Sequence, residues 1–186
     1  MATIRHERST DIAARERLLD VAMGPARHAK ASERVREGRF AADGLSFSAF
    51  ERGRLVGTVR LWNVAAGPGR PALLLGPLAV AEDARGRGIG AQLMQRALRE
   101  ARRLGHRAVI LVGDAPYYGR FGFSTAKTGN LRLAGPYERE RLLGLELVAG
   151  ALDGANGLIR ATGEKLPRGL PDFLFGNIRP SLPLAA

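Results

Sequence analysis

The sequence predicts an α/β (α+β) fold in which helices pack on a mixed sheet, and three observations predict it. Leu73 to Gly90 (LLLGPLAVAEDARGRGIG) reads as a buried strand, a short connector, a glycine-rich turn and a helix start. One helix later, Ala108-Val109-Ile110-Leu111-Val112 is a second apolar run, and the unit from Leu73 to Val112 is long enough for a right-handed parallel crossover. Upstream, Leu45–Phe50 and Leu55–Val64 flank the turn Glu51-Arg52-Gly53-Arg54 and read as an antiparallel hairpin.

Taken in order, Ala2–Arg8 reads as an opening strand. Ser9, Thr10 and Asp11 are residues that cap helices, because their side-chain oxygens accept from the open first-turn N–H groups. A helix follows, with Ile12, Leu18, Leu19, Val21 and Ala22 as its apolar positions and Gly24-Pro25 as its end. A shorter basic helix is expected over about Ala31–Glu37. In the hairpin, Leu45, Phe47 and Ala49 alternate with Ser46, Ser48 and Phe50, and Val56, Val59, Leu61 and Trp62 continue in the second arm. Gly67-Pro68-Gly69-Arg70-Pro71 is an exposed loop leading to the central strand.

That strand carries Leu73, Leu74, Leu75, Leu78, Ala79 and Val80, the near-continuous apolar run of a strand covered on both faces. Gly76-Pro77 interrupts it. Proline has no N–H to give to a ladder, so a mid-strand bulge is expected, with pairing to one neighbour lost and backbone N–H groups freed. Two parallel strands that part at a bulge make a cleft. The next helix has Ile89, Leu93, Ala97, Ala101 and Leu104 as its apolar stripe, with Leu98 alongside, while Gln92, Gln95, Arg96, Arg99, Arg102 and Arg103 face outward. Gly105 is its natural stop. Asp114 can cap a short helical turn with Pro116 in its first turn. From Phe123 the chain should return as an antiparallel strand, and Leu131–Leu133, Leu143–Val148 and Gly157–Ala161 are further strand candidates. Pro167, Pro171, Pro180 and Pro183 mark an irregular tail, which Phe173, Leu174 and Phe175 would pin to the body or to another subunit, a homodimer in the latter case. The organisation expected is one domain over 1–166 and a proline-rich tail over 167–186.

The totals exclude several classes. A chain of 186 residues, 45% hydrophobic and 25% charged, has ordinary globular composition and is long enough for a substantial core. With no cysteine and with His6, His28 and His106 far apart, no metal spacing is present, and no metal is expected. No apolar run approaches the ~20 residues of a membrane span, so no membrane partner is expected. The charged start MATIRHERST lacks the apolar core of a signal peptide, which makes the cytoplasm the expected location. The net charge of +11 is scattered along the chain, and aromatics are only 6%, which argues against base-stacking and nucleic acid as a partner. Steering of a polyanionic coenzyme is the modest use the charge retains.

The chemistry centres on Arg85-Gly86-Arg87-Gly88-Ile89-Gly90. Glycines at a helix start let the backbone approach closely, the first-turn N–H groups have no helical partner, and the dipole end is positive. That is a ready site for a phosphate or pyrophosphate. Gly86-x-Gly88-x-x-Ala91 formally matches a dinucleotide fingerprint, but there the first glycine follows the strand directly, whereas Ala81 to Arg85 intervene here. No Gly-Lys-Ser/Thr is present, so a Walker loop fails. An Arg/Gln-x-x-Gly-x-Gly/Ala turn after a bulged strand resembles the acyl-CoA pyrophosphate loop of the GNAT superfamily of N-acetyltransferases, with Arg85, Gly88 and Gly90 at its defining positions. Tyr118-x-x-x-Gly122-Phe123 resembles the tyrosine element of the same superfamily. The run LGPLAV…RGRGIG…GDAPYYGRFGF, with Leu143–Leu147 and Gly150–Leu152, looks like its YhbS-like branch, covering about Leu73 to Leu152 well and the N-terminal third only by pattern.

The resemblance implies a central mixed, mostly antiparallel twisted sheet, a bulged parallel strand pair forming a V-shaped acyl-CoA cleft, and helices on both faces. It implies acetyl-CoA as cosubstrate, an amine of unknown identity as acceptor, and direct acetyl transfer. On this account Gly86 to Gly90, with Arg85 and Ala91, hold the pyrophosphate through residues including Arg87, Gly88 and Ile89. The pantetheine arm lies near Leu78, Ala79 and Val80. Because Pro77 has no N–H, the donor to the thioester carbonyl should be Leu78 or Ala79. Tyr118 takes the place of the general acid, with Tyr117 the alternative if the register differs by one. Glu51, Glu82, Asp83 and Asp114 are carboxylates in reach by sequence, but each has a plainer role in solvent, a turn or a cap, and no base is assigned. A non-catalytic acyl-CoA sensor using the same loop is the competing reading.

Overall fold

The computed structural model describes residues 2–167. Its helices are α1 (Ile12–Met23), α2 (Ala31–Arg36), α3 (Ile89–Arg103) and α4 (Ala115–Gly119). Its strands are β1 (Thr3–His6), β2 (Ser46–Glu51), β3 (Arg54–Ala66), β4 (Pro71–Val80), β5 (Ala108–Val112), β6 (Leu131–Arg132), β7 (Leu142–Glu146) and β8 (Gly157–Ala161). Among the described residues they form one eight-stranded sheet with the path β1-β2-β3-β4-β5-β7, and β8 joins β3 to β6. The β4–β5 pair is parallel, as is the short β6–β8 pair, and every other pairing is antiparallel. The mixed, mostly antiparallel sheet and the crossover through α3 therefore match the expectation.

The period-two rule of strands divides the core between two faces. Leu73, Leu75, Val109 and Leu111 point to the α3 face, where Ile89, Leu93, Met94, Ala97, Leu98 and Ala101 meet them. Leu74, Ala108 and Ile110 point the other way, into a cluster with Trp62 and with Ala31 and Val35 of α2. Leu18 and Leu19 of α1 sit on that second side against Leu55 and Ala79. So α3 covers one face, and α1 and α2 cover the other.

Several sequence expectations need correction. Leu104 lies beyond the end of α3 and is exposed, whereas Met94 is fully buried and completes the stripe. Val21 on α1 is 81% exposed, while Arg15, on the apolar phase of that helix, is buried. None of Ser9, Thr10 and Asp11 caps α1 through its side chain; they form a 3-10 turn. There Asp11 accepts from the Arg8 N–H at 2.8 Å and from the Arg5 guanidinium at 2.7 and 2.9 Å. The return strand from Phe123 shrinks to a single bridge, Ser124 to Gly144. The physical reason is that Ser124 pairs on the outer edge of β7 and the chain turns away at once, the Thr128 N–H donating to the Thr125 carbonyl at 3.1 Å. The intervening chain closes as a turn, with the Thr128 hydroxyl donating to the Leu142 carbonyl at 2.6 Å. The tail beyond Pro167, with Phe173, Leu174 and Phe175, lies outside the described residues.

Candidate active site

The bulge lies where proline demands it. Val59 is opposite Leu78 and Leu61 is opposite Leu75, so Gly76 and Pro77 together face Arg60. On the far side, β4 and β5 pair only at Leu73–Val109 and Leu74–Ile110. Beyond the bulge the two parallel strands part.

The direction of the freed N–H groups follows from the ladder. The Ala81 N–H donates to the Val56 carbonyl at 2.8 Å. In an antiparallel pair, hydrogen-bonded and non-bonded residue pairs alternate. Thr58–Ala79 is then a bonded pair, and Gly57–Val80 and Val59–Leu78 are not. The N–H groups of Leu78 and Val80 point away from β3 into the gap toward β5, and that of Ala79 points to β3. Of the two donors expected from sequence, the geometry leaves Leu78; Ala79 contributes only wall.

That gap is a cavity of about 250 Å³ lined by Ala22, Met23, Leu78, Ala79, Val80, Arg85, Gly90, Tyr117 and Tyr118. The start of α3 closes one end. Gly88 is its N-cap, in the left-handed region at φ +76°, and the first helical bond is the Gln92 N–H to the Gly88 carbonyl at 3.0 Å. The N–H groups of Ile89, Gly90 and Ala91 thus have no helical acceptor. Gly86 and Gly88 are exposed, and a Cβ at Gly86 would meet nothing within 4 Å. Gly90 differs: a Cβ there would stand 2.8 Å from the Tyr117 hydroxyl oxygen and 3.6 Å from Val80, so its hydrogen side chain lets α4 approach α3. Arg87 is held by Glu51 at 3.0 Å and by the Asp83 carbonyl at 3.0 Å. Arg85 lines the cavity and forms no ion pair among the described residues.

Tyr118 sits on α4, whose first turn is capped by Asp114 accepting from the Tyr117 N–H at 3.3 Å. Its ring packs edge-on against Tyr117 at 4.9 Å and Phe123 at 6.1 Å between centroids. A Cβ at Gly113 would lie 2.1 Å from the ring, so the glycine makes room for it. Burial pushes the phenol up to about 12, with Tyr117 adding to it, so it holds its proton at neutral pH. Among the described residues nothing hydrogen-bonds its hydroxyl. Among the described residues the cavity wall contains no carboxylate. Of the four acids considered, Glu51 pairs with Arg87, Asp83 with Arg54, Asp114 caps α4, and Glu82 is exposed.

Sequence reasoning missed a second assembly on the α1–α2 side of the bulge. Glu7 lies buried between Arg15 and Arg60, and Arg27 binds Glu16 at 2.5 Å and Asp20 at 2.8 Å. Burial alone would raise the Glu16 carboxyl, but Arg15 and Arg27 hold it below the usual range. The signal available was Arg15 itself, at i+3 from Ile12 and i−3 and i−4 from Leu18 and Leu19, on the buried phase of α1.

A bulged parallel pair beneath a glycine-rich helix start defines an acyl-coenzyme fold class, and the comparisons agree. The acetyltransferase (GNAT) family model matches residues 13–123, and the chain belongs to that family. Among curated proteins, "Uncharacterized N-acetyltransferase YhbS" of Escherichia coli K12 is 36% identical over 85 residues, 46% of this chain and 51% of the relative. The chain spans about half the length of the curated relatives it matches. The crystal structure of E. coli YhbS in complex with CoA superposes with a TM-score of 0.73 at 31% identity, covering 86% of this chain and 89% of that one. A GNAT acetyltransferase of Brucella melitensis with acetyl-CoA gives a TM-score of 0.59 at 25% identity, covering 90% and 92%. Among the described residues no helix is long and apolar enough to cross a membrane, and no group of acids or histidines is placed to hold a metal.

Proposed function

We propose that this chain is an acetyl-CoA-dependent N-acetyltransferase acting on an amine by direct transfer, without a metal. One observation carries the reading. The N–H groups of Leu78 and Val80, freed beyond the bulge, open into a cavity closed by the α3 N-terminus on one side and Tyr118 on another. Arg85 and the N–H groups of Gly86 to Ala91 bind the pyrophosphate; Arg87, already paired with Glu51, helps hold that turn in shape. Val80 and Ala79 line the path of the pantetheine arm, and Leu78 N–H aims at the thioester carbonyl. The amine nitrogen attacks that carbonyl carbon, and Leu78 N–H stabilises the oxyanion that forms. The C–S bond then breaks, the Tyr118 hydroxyl gives its proton to the departing thiolate, and the phenolate recovers a proton from water. The surplus proton on the amine leaves to solvent. This reading takes 1–166 as one domain acting in the cytoplasm, alone or as a homodimer; residues 168–186 lie outside the described residues.

The absence of a carboxylate from the cavity wall favours one rival, a binding module that senses acyl-CoA without turnover. One measurement tests both readings and a second separates them. Acetyl-CoA at ~100 times its dissociation constant should add about 2.7 kcal/mol of stability under either reading. Release of free thiol on addition of an amine occurs only in the enzyme. A silent calorimeter and an unmoved melting temperature at millimolar acetyl-CoA would remove both. Gly88→Glu should abolish the stabilisation, because a carboxylate would then stand where the pyrophosphate binds; the mutant's own melt shows how much the left-handed backbone at Gly88 costs it.

A further inference from the structure

A second cavity, of about 320 Å³, lies across the bulge between α1, α2 and β3. Four arginines (15, 27, 36 and 60) line it against three glutamates (16, 33 and 37). Inside the protein Arg15, Arg27 and Arg60 already meet Glu7, Glu16 and Asp20. Arg36 is different. It is 6% exposed, and its hydrogen bond within the chain runs from Nη2 to Glu33 at 2.5 Å, a carboxylate on its own helix. Among the described residues its buried Nε has no acceptor. Its Nη1 sits 3.4 Å from where a Cβ on Gly76 would be, against the bulge itself. Burial lowers the pKa of this guanidinium and Arg27 lowers it further, with Glu33 acting in the opposite sense.

A buried cation with a donor left unclaimed is costly unless an acceptor meets it. The planar fork of a guanidinium matches a carboxylate, whose two oxygens take two donors at once. The place of the cavity says what such a ligand would be for. Pro77 lines this cavity, and Leu78, the next residue, lines the coenzyme cavity. One residue of strand is about 3.3 Å, so the two cavities adjoin at the Pro77–Leu78 step, and a ligand held at Arg36 has the bulge between it and the coenzyme cavity. Trp62 forms a fixed wall along the way, its indole N–H donating to the Gly76 carbonyl at 2.6 Å.

We propose that the acceptor is a small amine bearing a carboxylate, which Arg36 holds while the amine passes Pro77 to the carbonyl carbon at Leu78. The proposal rests on the acetyltransferase reading above. It makes Arg36 a substrate-binding residue and leaves the proton transfers as already described.

The test begins with calorimetry of acetyl-CoA binding to the full chain, then records thiol release with saturating acetyl-CoA. The acceptors are the α-amino acids and the straight-chain ω-amino acids from glycine to 6-aminohexanoate, each beside its primary amide, with diamines added. At least one acid should turn over with kcat/KM roughly 30–100-fold above its amide, the range expected when a buried charge pair loses one member. Arg36→Lys should cut that ratio at least tenfold, chiefly through KM for the acid. In the unmodified protein butyrate, a carboxylate without an amine, should compete with the acceptor and not with acetyl-CoA, a measurement that stands if the variant fails to fold. Equal turnover of acid and amide, a preference for diamines, or no competition by butyrate overturns the inference and leaves the acetyltransferase intact. Coenzyme binding with no panel amine acetylated also overturns it. Absence of coenzyme binding removes the acetyltransferase reading, and this inference with it.

Discussion

The cavities on the two sides of the β4 bulge are made of different materials. On the side proposed for the coenzyme the free donors are backbone N–H groups: Leu78 and Val80 where the ladder opens, and the first turn of α3 where the helix leaves them unbonded. On the α1–α2 side the donors are arginine side chains brought from four separate segments and set among buried carboxylates. Backbone donors are fixed by secondary structure and tolerate most side chains. Side-chain donors need long-range assembly and are costly when incomplete, which suits a ligand particular to one chain. The contrast teaches where specificity can vary in this fold without disturbing the coenzyme.

The sharpest way to break the comparison is Glu7→Gln. It removes the carboxylate between two buried guanidiniums, each only 3% exposed, and should cost about 3–5 kcal/mol in a denaturant or thermal melt. A surface pair on the coenzyme side, Arg87 with Glu51, should by comparison give no more than ~1 kcal/mol on Glu51→Gln. If the two variants melt alike, the buried cluster is not the structural keystone described. The cluster also sets an acid limit. Glu16 is depressed below the ordinary carboxylate range, so its contribution is complete above its unfolded pKa and drains away as pH falls through the lower folded value.

Next in size is Tyr118→Phe, which keeps the ring and removes the hydroxyl. As the acid it should lower kcat by roughly 10²-fold, about 2.7 kcal/mol of barrier, with coenzyme affinity nearly unchanged. Because a thiolate leaves readily, a tenfold fall still supports the role. Tyr117→Phe run beside it tests the register: activity lost there and kept in Tyr118→Phe moves the acid by one residue, while full activity in both removes tyrosine from the mechanism. The same hydroxyl has an optical signature. A phenol raised to about 12 should ionise after an ordinary one in a titration followed by phenolate absorbance, and Tyr118→Phe should delete that late step. Its sign is opposite to that of Glu16: the stability it gives is full below the unfolded phenol pKa and is lost as pH rises through the folded value.

The smallest expected effect is Arg85→Ala. This exposed cation should weaken acetyl-CoA binding about fivefold at low salt, and the difference should shrink as added salt screens it. A loss that ignores salt would mean Arg85 acts through shape and not through charge.

How much of this was legible beforehand follows the range of each interaction. The bulge at Gly76-Pro77, the crossover from Leu73 to Val112, the glycine turn ahead of α3 and the Asp114 cap before Tyr118 all rest on rules that act within one turn or one ladder. A missing proline N–H, an open helix terminus and a side-chain cap are local facts, and the chain states them. Tertiary structure alone decided the rest. It turned the N–H of Leu78 into the gap and that of Ala79 toward β3, because which N–H faces the gap depends on the register with β3. It held the segment after Phe123 to one bridge on the outer edge of β7, where a turn fastened to Leu142, a distant residue, takes the chain away. It set Gly90 against the Tyr117 hydroxyl, a contact between two helices. And it buried Glu7 on Arg60, 53 residues away, where charge alone would have put both in solvent; only the assembled sheet brings such groups close enough to repay the water they lose.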